Sequence, residues 1–215
     1  MRASHRGLAG TAYGVLAVAD TLLAAAPDRW RRARVVTKPL LMPALAAHGG
    51  SGAVTVAQVC SWAGDVALMR EGRRPFLAGL CSFLAAHVAY VVAFRARSSV
   101  PLLASPGRRR ALGAGSVAAL AMAAAAARED RAFALPVAAY GATLAAMAAS
   151  AAAVDRDRGR GRVLAGASLF LLSDSLLGAR TFLLRERVPV LDSAVMATYT
   201  AAQWCIAEGA APVRR

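Results

Sequence analysis

Residues 76–94 read FLAGLCSFLAAHVAYVVAF, an apolar run long enough to cross a bilayer that nevertheless contains His87 and Tyr90. These two residues are three apart, so on a helix they share one face. Polar side chains inside such runs are uncommon because their burial in hydrocarbon is costly, and they often mark functional sites. The run therefore predicts a membrane helix with a polar face directed away from lipid.

The composition extends this prediction to the whole chain. Hydrophobic residues make up 58% of the 215 residues, and the mean hydropathy is +0.47. Soluble domains average roughly 45–50% apolar residues. The formal net charge is +14, from 26 basic and 12 acidic residues. The basic residues lie mostly between the apolar runs, as is typical of charges that flank membrane helices, so we expect a bilayer and no nucleic acid as partner.

Eight apolar runs of helical length organise the chain, and we expect each to be about long enough to cross a hydrocarbon core of about 30 Å. They are residues 8–26, 35–48, 53–69, 76–94, 111–127, 132–154, 163–184 and 190–209. The pattern predicts an all-α, polytopic membrane protein, a bundle of about eight transmembrane helices forming a single domain over residues 1–215. The alanine- and arginine-rich composition is typical of high-GC coding and favours a multi-pass protein of a bacterial cell membrane. Its oligomeric state cannot be read from this pattern.

Two carboxylates inside other apolar runs are the main candidates for a functional site. Asp65 lies in the third run and Asp174 in the seventh, where a charged residue at the bilayer centre costs about 2.5–3.5 kcal/mol. Gln58 and Ser61 recur with Asp65 at helical spacing, which indicates either a functional site or a hydrogen-bonding contact between helices. Either Ser173 or Ser175, the two neighbours of Asp174, could bond to its own helix backbone.

A lone lysine and a polar pair add to these candidates. Lys38 is the only lysine among the 26 basic residues, and two prolines, Pro39 and Pro43, follow it. Because each proline leaves a backbone carbonyl without its usual donor, the second run is expected to line the protein interior. Tyr199 and Gln203 are four apart on the last run, so they share a helix face.

Two charged residues allow alternatives at this point. Asp20 in the first run could join a central cavity or pair with a basic group, and it favours an uncleaved helix over a signal peptide. Arg180, near the end of the seventh run, could extend to the membrane surface or bind an anionic headgroup.

Standard catalytic motifs are absent from the sequence. There is no GxSxG, HExxH, Walker loop or GxGxxG pattern, so serine-nucleophile and nucleotide chemistry have no support. Cysteine and histidine spacing does not suggest a metal site, and we expect no metal and no cofactor. Two aspartates with a histidine, a lysine and a tyrosine suit general acid–base chemistry on a neutral bond. They equally suit a small proton-coupled transporter or a lipid-binding membrane protein.

Five segments together resemble the YhhN family of integral-membrane lysoplasmalogenases. They occur in the family's order: TKPLLMP (37–43), GDVALM (64–69), GLCSFLAAHVAYVVAF (79–94), GASLFLLSDSLLG (166–178) and YTAAQ (199–203). The resemblance implies an eight-helix membrane enzyme that hydrolyses the vinyl ether bond of a lysoplasmalogen or related ether lysolipid. The products would be a fatty aldehyde and a glycerophospho-headgroup.

The resemblance also suggests roles for the polar residues. Asp65 and Asp174 would supply the acid and the group that stabilises the cation, in an order that the sequence does not decide. His87 and Tyr90 would orient water or carry protons, and Lys38 would hold the phosphate or pair with one aspartate. The residues expected to bind substrate are Lys38, Tyr90, Ser173, Tyr199 and Gln203. The partners implied are a lysophospholipid or ether-lipid substrate and the bilayer.

Overall fold

The computed structural model describes residues 2–49, 52–184 and 186–211, and this part of the chain is all-α, with no β-strand. Its nine α-helices are α1 (Arg2–Ala25), α2 (Asp28–Arg31), α3 (Arg34–His48), α4 (Ala53–Ala67), α5 (Arg73–Arg95), α6 (Pro106–Glu129), α7 (Ala134–Ala153), α8 (Arg160–Phe182) and α9 (Pro189–Gly209). The predicted fold class is confirmed. The eight runs correspond to the eight longer helices, and the short α2 forms in the basic segment between the first two runs.

Five helices, α1, α5, α6, α7 and α8, are long and apolar enough to cross a membrane, by length and composition. This indicates a membrane protein. The expectation of full crossing length was wrong for α3 and α4, which have 15 residues each. At 1.5 Å per residue they rise only about 22 Å. The segment before α3 forms the separate helix α2, and α3 ends at His48, immediately before Gly49. Helix α3 is therefore not extended at either end.

One of the two prolines of α3 has its freed carbonyl satisfied by a side chain of the neighbouring helix, at the outer surface of the bundle. Pro43 has no N–H to donate to the carbonyl of Pro39, four residues earlier. The indole N–H of Trp62 in α4 donates to that carbonyl at 3.0 Å. On the opposite side of α3, Leu41 and Leu45 are fully buried. The helix therefore packs into the bundle despite its two prolines.

The bundle is held by helix pairs that are neighbours in sequence and by contacts that join those pairs. The closest pairs are α8 with α9, α4 with α5, α6 with α7, and α1 with α3, while α5 also packs on α7 and α1 on α9. The fully buried side chains at the centre include Tyr90, Phe94, Phe170, Met147 and Ile206. A ring of aromatic contacts around Phe170 joins α5, α8 and α9.

Asp20 pairs with a basic group, which settles its two alternatives. The guanidinium of Arg34 donates from Nε to Oδ1 at 3.1 Å and from Nη2 to Oδ2 at 3.0 Å, and the hydroxyl of Thr37 donates to Oδ1 at 2.7 Å. Asp20 is fully buried. This two-pronged contact ties the end of α1 to the start of α3, and it satisfies a charge that would otherwise be costly to bury.

Arg180 also has a protein partner. Its Nη1 donates to Oδ1 of Asp192 at 2.8 Å, and Arg187 donates to the other oxygen of the same carboxylate at 2.9 Å. Arg187 further donates to the backbone carbonyl of Ala24, at the end of α1. These contacts fix the connection between α8 and α9 against α1.

Helices α8 and α9 approach each other closely at Gly166. A Cβ at this position would lie 2.8 Å from the carbonyl oxygen of Ala202 and 2.9 Å from the backbone nitrogen of Ile206. Backbone atoms of a packed helix cannot move away cheaply. The absence of a side chain at residue 166 is therefore a condition of this contact.

We expect Gly166→Ala to lower the free energy of unfolding by about 1–3 kcal/mol, because the added methyl group overpacks the α8–α9 contact. The melting temperature of the purified protein in detergent would measure it. Gly14→Ala is the matched control, since nothing lies within 4 Å of a Cβ at that helical glycine. It should be neutral or slightly stabilising. Equal effects of the two substitutions would contradict this account of the contact.

Candidate functional site

The structure places Asp65 in an ion pair. The ammonium nitrogen of Lys38 in α3 lies 3.2 Å from Oδ1 of Asp65 in α4, and the two side chains are 14% and 3% exposed. The hydroxyl of Tyr199 in α9 donates to the other carboxylate oxygen at 2.7 Å. Of the two roles considered for Lys38, the structure supports pairing with an aspartate. Both oxygens of Asp65 are engaged by protein groups.

A chain of hydrogen bonds continues from this pair into the bundle. The side-chain amide of Gln203 donates to the hydroxyl of Ser61 at 3.0 Å and approaches the hydroxyl of Tyr199 at 3.4 Å. The hydroxyl of Tyr90 donates to the amide oxygen of Gln203. Because these partners come from α4, α5 and α9, the polar stripe on α4 serves as a contact between helices.

A second cluster forms around Asp174 in α8. The hydroxyl of Tyr140 in α7 donates to Oδ2 of Asp174 at 2.5 Å. Nε2 of His87 in α5 lies 3.6 Å from the same oxygen, and the Asp174 side chain is 9% exposed. Within the described residues, no lysine or arginine forms an ion pair with this carboxyl group. Asp174 is thus held by a tyrosine hydroxyl and a histidine ring, whereas Asp65 is held by a lysine ammonium group and a tyrosine hydroxyl.

His87 is enclosed by aromatic rings and has spare hydrogen-bonding capacity. Its ring lies edge-on to Tyr140 and to Phe170, with both centroid distances 4.9 Å. The residue is fully buried. In the part of the chain that the structure describes, neither ring nitrogen makes a hydrogen bond. A polar group that is buried in this way and remains unpaired is unusual in a purely structural role.

Asp174 faces a cavity of about 440 Å³ bounded mainly by α5, α6, α7 and α8. Most of the lining side chains are apolar, and the polar ones among the described residues are Tyr140, Asp174, Ser175 and Thr181. The volume falls within the range usual for small-molecule sites, as does the combination of an apolar wall with a few convergent polar groups.

The two aspartate clusters are neighbours separated by aromatic rings. The Phe170 ring lies 4.9 Å from His87 of the second cluster and 5.5 Å from Tyr199 of the first. Phe83 lines the cavity and has its ring 5.9 Å from Tyr199. Asp65 is not among the side chains that line the cavity. The expectation that both carboxylates act on one bound molecule therefore does not match this arrangement.

The structure separates the other predicted residues into those near Asp174 and those elsewhere. His87 joins the Asp174 cluster, whereas Lys38, Tyr90, Tyr199 and Gln203 belong to the Asp65 network. Ser173 is buried and donates to the backbone carbonyl of Val195 at 3.0 Å, so its hydroxyl links α8 to α9. The hydroxyl that bonds to its own helix belongs to Ser175, which donates to Leu171 at 2.7 Å.

Tyr140 is the site residue that the sequence prediction omitted. It lies in an alanine-rich run without a polar stripe, so periodicity gave no reason to select it. The one available signal was that Tyr140 is the only aromatic residue between Ala134 and Ala153. In the described residues, no group of three His, Cys, Asp or Glu side chains is placed to hold a metal ion.

We expect Lys38→Met to destabilise the protein by about 3–5 kcal/mol, because Asp65 would keep a buried charge without its cation. The double substitution Lys38→Met with Asp65→Asn should recover much of this loss, since an asparagine oxygen can still accept from Tyr199. Melting temperatures in detergent give the comparison. The control is Arg31→Met, which removes a pair to the exposed Asp28 and should cost less than about 1 kcal/mol. A double variant no more stable than Lys38→Met would argue against the ion pair.

Comparison with known proteins gives one match. The family model described as the YhhN family matches residues 33–210, which include helices α3 to α9 and both aspartate clusters. No curated protein and no solved structure matches the chain. The match covers most of the chain and agrees with the resemblance carried by the five sequence segments. The chain belongs to the YhhN family.

Proposed function

We propose that this protein is a multi-pass membrane hydrolase that cleaves the vinyl ether bond of a lysoplasmalogen or a related ether lysolipid, with Asp174 as the reacting acid. The observation that carries the proposal is the position of Asp174, a carboxyl group on the wall of an otherwise mainly apolar cavity inside a membrane-type bundle. Membership of the YhhN family is consistent with a membrane-associated hydrolase.

Vinyl ether hydrolysis requires a proton donor and a water molecule. Protonated Asp174 would give its proton to the alkenyl carbon that is not bonded to oxygen, which leaves an oxocarbenium ion at the adjacent carbon. Water would add to that carbon while the Asp174 carboxylate takes up a proton from the water, regenerating the acid. The hemiacetal then collapses: its hydroxyl loses a proton as the carbonyl forms, the bond to the glycerol oxygen breaks, and that oxygen takes up a proton. The net reaction consumes one water and yields an aldehyde and a free glycerol hydroxyl.

Tyr140 and His87 would position Asp174. The Tyr140 hydroxyl donates to Oδ2, which fixes the carboxyl plane and leaves Oδ1 to exchange the proton. His87 lies on the Oδ2 side, 3.6 Å away, and its ring is held between Tyr140 and Phe170. It would stabilise the carboxylate that exists after proton transfer.

Asp65 would act indirectly. Its charge is balanced by Lys38, and its hydrogen bond from Tyr199 fixes a ring that packs against Phe170 and Phe83. Phe83 is part of the cavity wall. We therefore assign Asp65 to holding the shape of the wall, rather than to stabilising the cation directly as the carboxylate-pair hypothesis required.

A proton-coupled transporter is the second candidate, and one observation favours it. A continuous series of polar contacts runs through the interior of the bundle, and such a series can carry protons. It links Lys38, Asp65, Tyr199, Gln203 and Tyr90. This function would produce ligand-dependent proton or solute flux in liposomes and no aldehyde. A lipid-binding protein would show neither flux nor product.

The decisive assay is incubation of the purified protein in lipid nanodiscs with a lysoplasmalogen, with both products measured by mass spectrometry. We expect aldehyde and glycerophospho-headgroup in equal amounts. Asp174→Asn should reduce the rate by at least about 100-fold, because it removes the proton donor. Tyr140→Phe should cause a smaller loss because it removes only an orienting bond. Asp28→Asn makes the same chemical change at an exposed site and should retain full activity.

Two results would contradict the proposal. If the wild-type protein releases no aldehyde while catalysing proton flux, the transporter function replaces it. If the wild type releases aldehyde and Asp174→Asn is equally active, the reaction does not depend on this acid. Asp65→Asn distinguishes the roles of the two clusters. It should act mainly by lowering the thermal stability of the protein, and the rate of aldehyde release per folded molecule should be affected less.

A further inference from the structure

The cavity beside Asp174 is open on one side of the bundle. Among the described side chains that line it, those of α5 and α7 are buried or half-buried. The exposed ones belong to the other two helices: Ala111, Ala114 and Ala118 on α6, and Leu171 and Ser175 on α8. The opening is therefore a gap between these two helices, which we call the α6–α8 gap.

The gap lies in the apolar middle of both helices. On α6, Ala118 is eight residues after Arg110 and ten residues before Arg128, which corresponds to about 12 Å and 15 Å of helix. On α8, the charged residue between 163 and 179 is Asp174 itself. The exposed neighbours of the lining residues in sequence include Val117 and Leu172. In the multi-pass arrangement that we propose, the gap therefore faces hydrocarbon rather than water.

The two helices that border the gap belong to different packed groups. Helix α6 packs closely on α7, and α8 packs closely on α9, whereas α6 contacts α8 at few positions. The α6–α7 packing depends on Gly115 and Gly141, where a Cβ would lie 2.6 Å from the Cβ of Ala145 and 2.5 Å from that of Ala119. A widening of the gap therefore leaves the packing within each group intact.

Met122 is the side chain of α6 that reaches across to α8. The three atoms nearest to a Cβ at Gly178 all belong to Met122, at distances of 3.3–3.6 Å. Both residues line the cavity. A methionine side chain is unbranched and has three rotatable bonds. This contact can therefore be released by rotation of one side chain, without a shift of either backbone.

We propose that the cavity takes its ligand sideways from the hydrocarbon layer, through the α6–α8 gap, and that Met122 against Gly178 is the gate of this entrance. The ligand reaches Asp174 without first passing through water. The identity of the ligand rests on the proposed function. The gap itself gives only the class, an amphiphile that is dissolved in the bilayer and enters with its hydrocarbon chain between the two helices.

The test uses a variant that carries Met122→Cys and Gly178→Cys, with the three native cysteines replaced by alanine. Cγ of Met122 lies 3.6 Å from a Cβ at residue 178, so cysteine side chains at the two positions are within reach of a disulfide. The disulfide joins α6 to α8 and leaves the cavity behind them unfilled. The reduced form of the same variant is the control.

The probe is an alkylphosphocholine with a diazirine in its chain, which labels nearby side chains on irradiation and has no vinyl ether bond. It is added to the protein in nanodiscs, samples are irradiated at intervals, and the labelled residues are identified by mass spectrometry. Labelling of the buried wall residues Phe83 and Leu144 should be at least about tenfold slower in the oxidised form than in the reduced form. Labelling of the exposed Val117 and Leu120, outside the cavity, should be the same in both.

A substitution at the rim of the gap gives an independent measurement. Leu171→Trp adds bulk at an exposed lining position and should slow labelling of the wall residues about fivefold. The matched control Leu172→Trp adds the same bulk at an exposed neighbour that does not line the cavity, and it should leave the rate unchanged. Equal wall labelling in the oxidised and reduced forms, or none in either, overturns the proposal. So does slower labelling in Thr181→Trp but not in Leu171→Trp, because the ligand then enters near the end of α8.

The outcome can be separated from that of the proposed function. Wall labelling that the disulfide slows, without any aldehyde release from a lysoplasmalogen, supports the α6–α8 gap as the entrance and refutes the hydrolase. Aldehyde release at the same rate in the oxidised and reduced forms, together with equal wall labelling, supports the hydrolase and refutes the entrance.

Discussion

The ion pair between Lys38 and Asp65 is the interaction on which the centre of the bundle depends. It joins α3 to α4, and through Tyr199 it joins both to α9. Neither charge is tolerable alone at this burial, so the three helices must assemble together. The aromatic residues that separate this pair from Asp174 then have fixed positions, because Tyr199 packs against Phe170 and Phe83.

The difference in surroundings between Asp65 and Asp174 is the strongest indication of function in this structure. Asp65 has a cation and a hydroxyl, one for each carboxylate oxygen, and is closed off from the cavity. Asp174 has a hydroxyl and an imidazole on the same oxygen and faces a space large enough for a ligand. Two residues of the same type therefore have different chemical capacities, and the difference is set entirely by their neighbours.

Much of the fold could be predicted from the sequence because apolar runs of helical length and intervening arginines are local patterns. The polar residues His87, Asp174 and Lys38 could be selected for the same reason, since each stands out within its own run. Pairing of Lys38 with an aspartate was one of two alternatives, but which aspartate it meets, and that His87 lies beside Asp174, could not be predicted because both depend on contacts between helices. Tyr140 could not be selected at all, since its significance comes only from the distant Asp174. The run 35–48 already had about the length of α3, so the error there lay in expecting so short a run to cross the hydrocarbon core. The end of α4 was placed two residues too far along the chain, because hydropathy does not show where a helix ends.

Those short helices have a consequence for the surrounding bilayer. The exposed side chains on the outer faces of α3 and α4, which would contact lipid in the multi-pass arrangement that we propose, are Val35, Val36, Leu40, Val56, Val59 and Trp62. A rise of about 22 Å is less than the thickness of an ordinary hydrocarbon core. Hydrophobic mismatch of this kind is relieved by local thinning of the membrane. The headgroup layer would then approach Lys38 more closely on this flank than elsewhere around the protein, which shortens the path of water to the pair formed by Lys38 and Asp65.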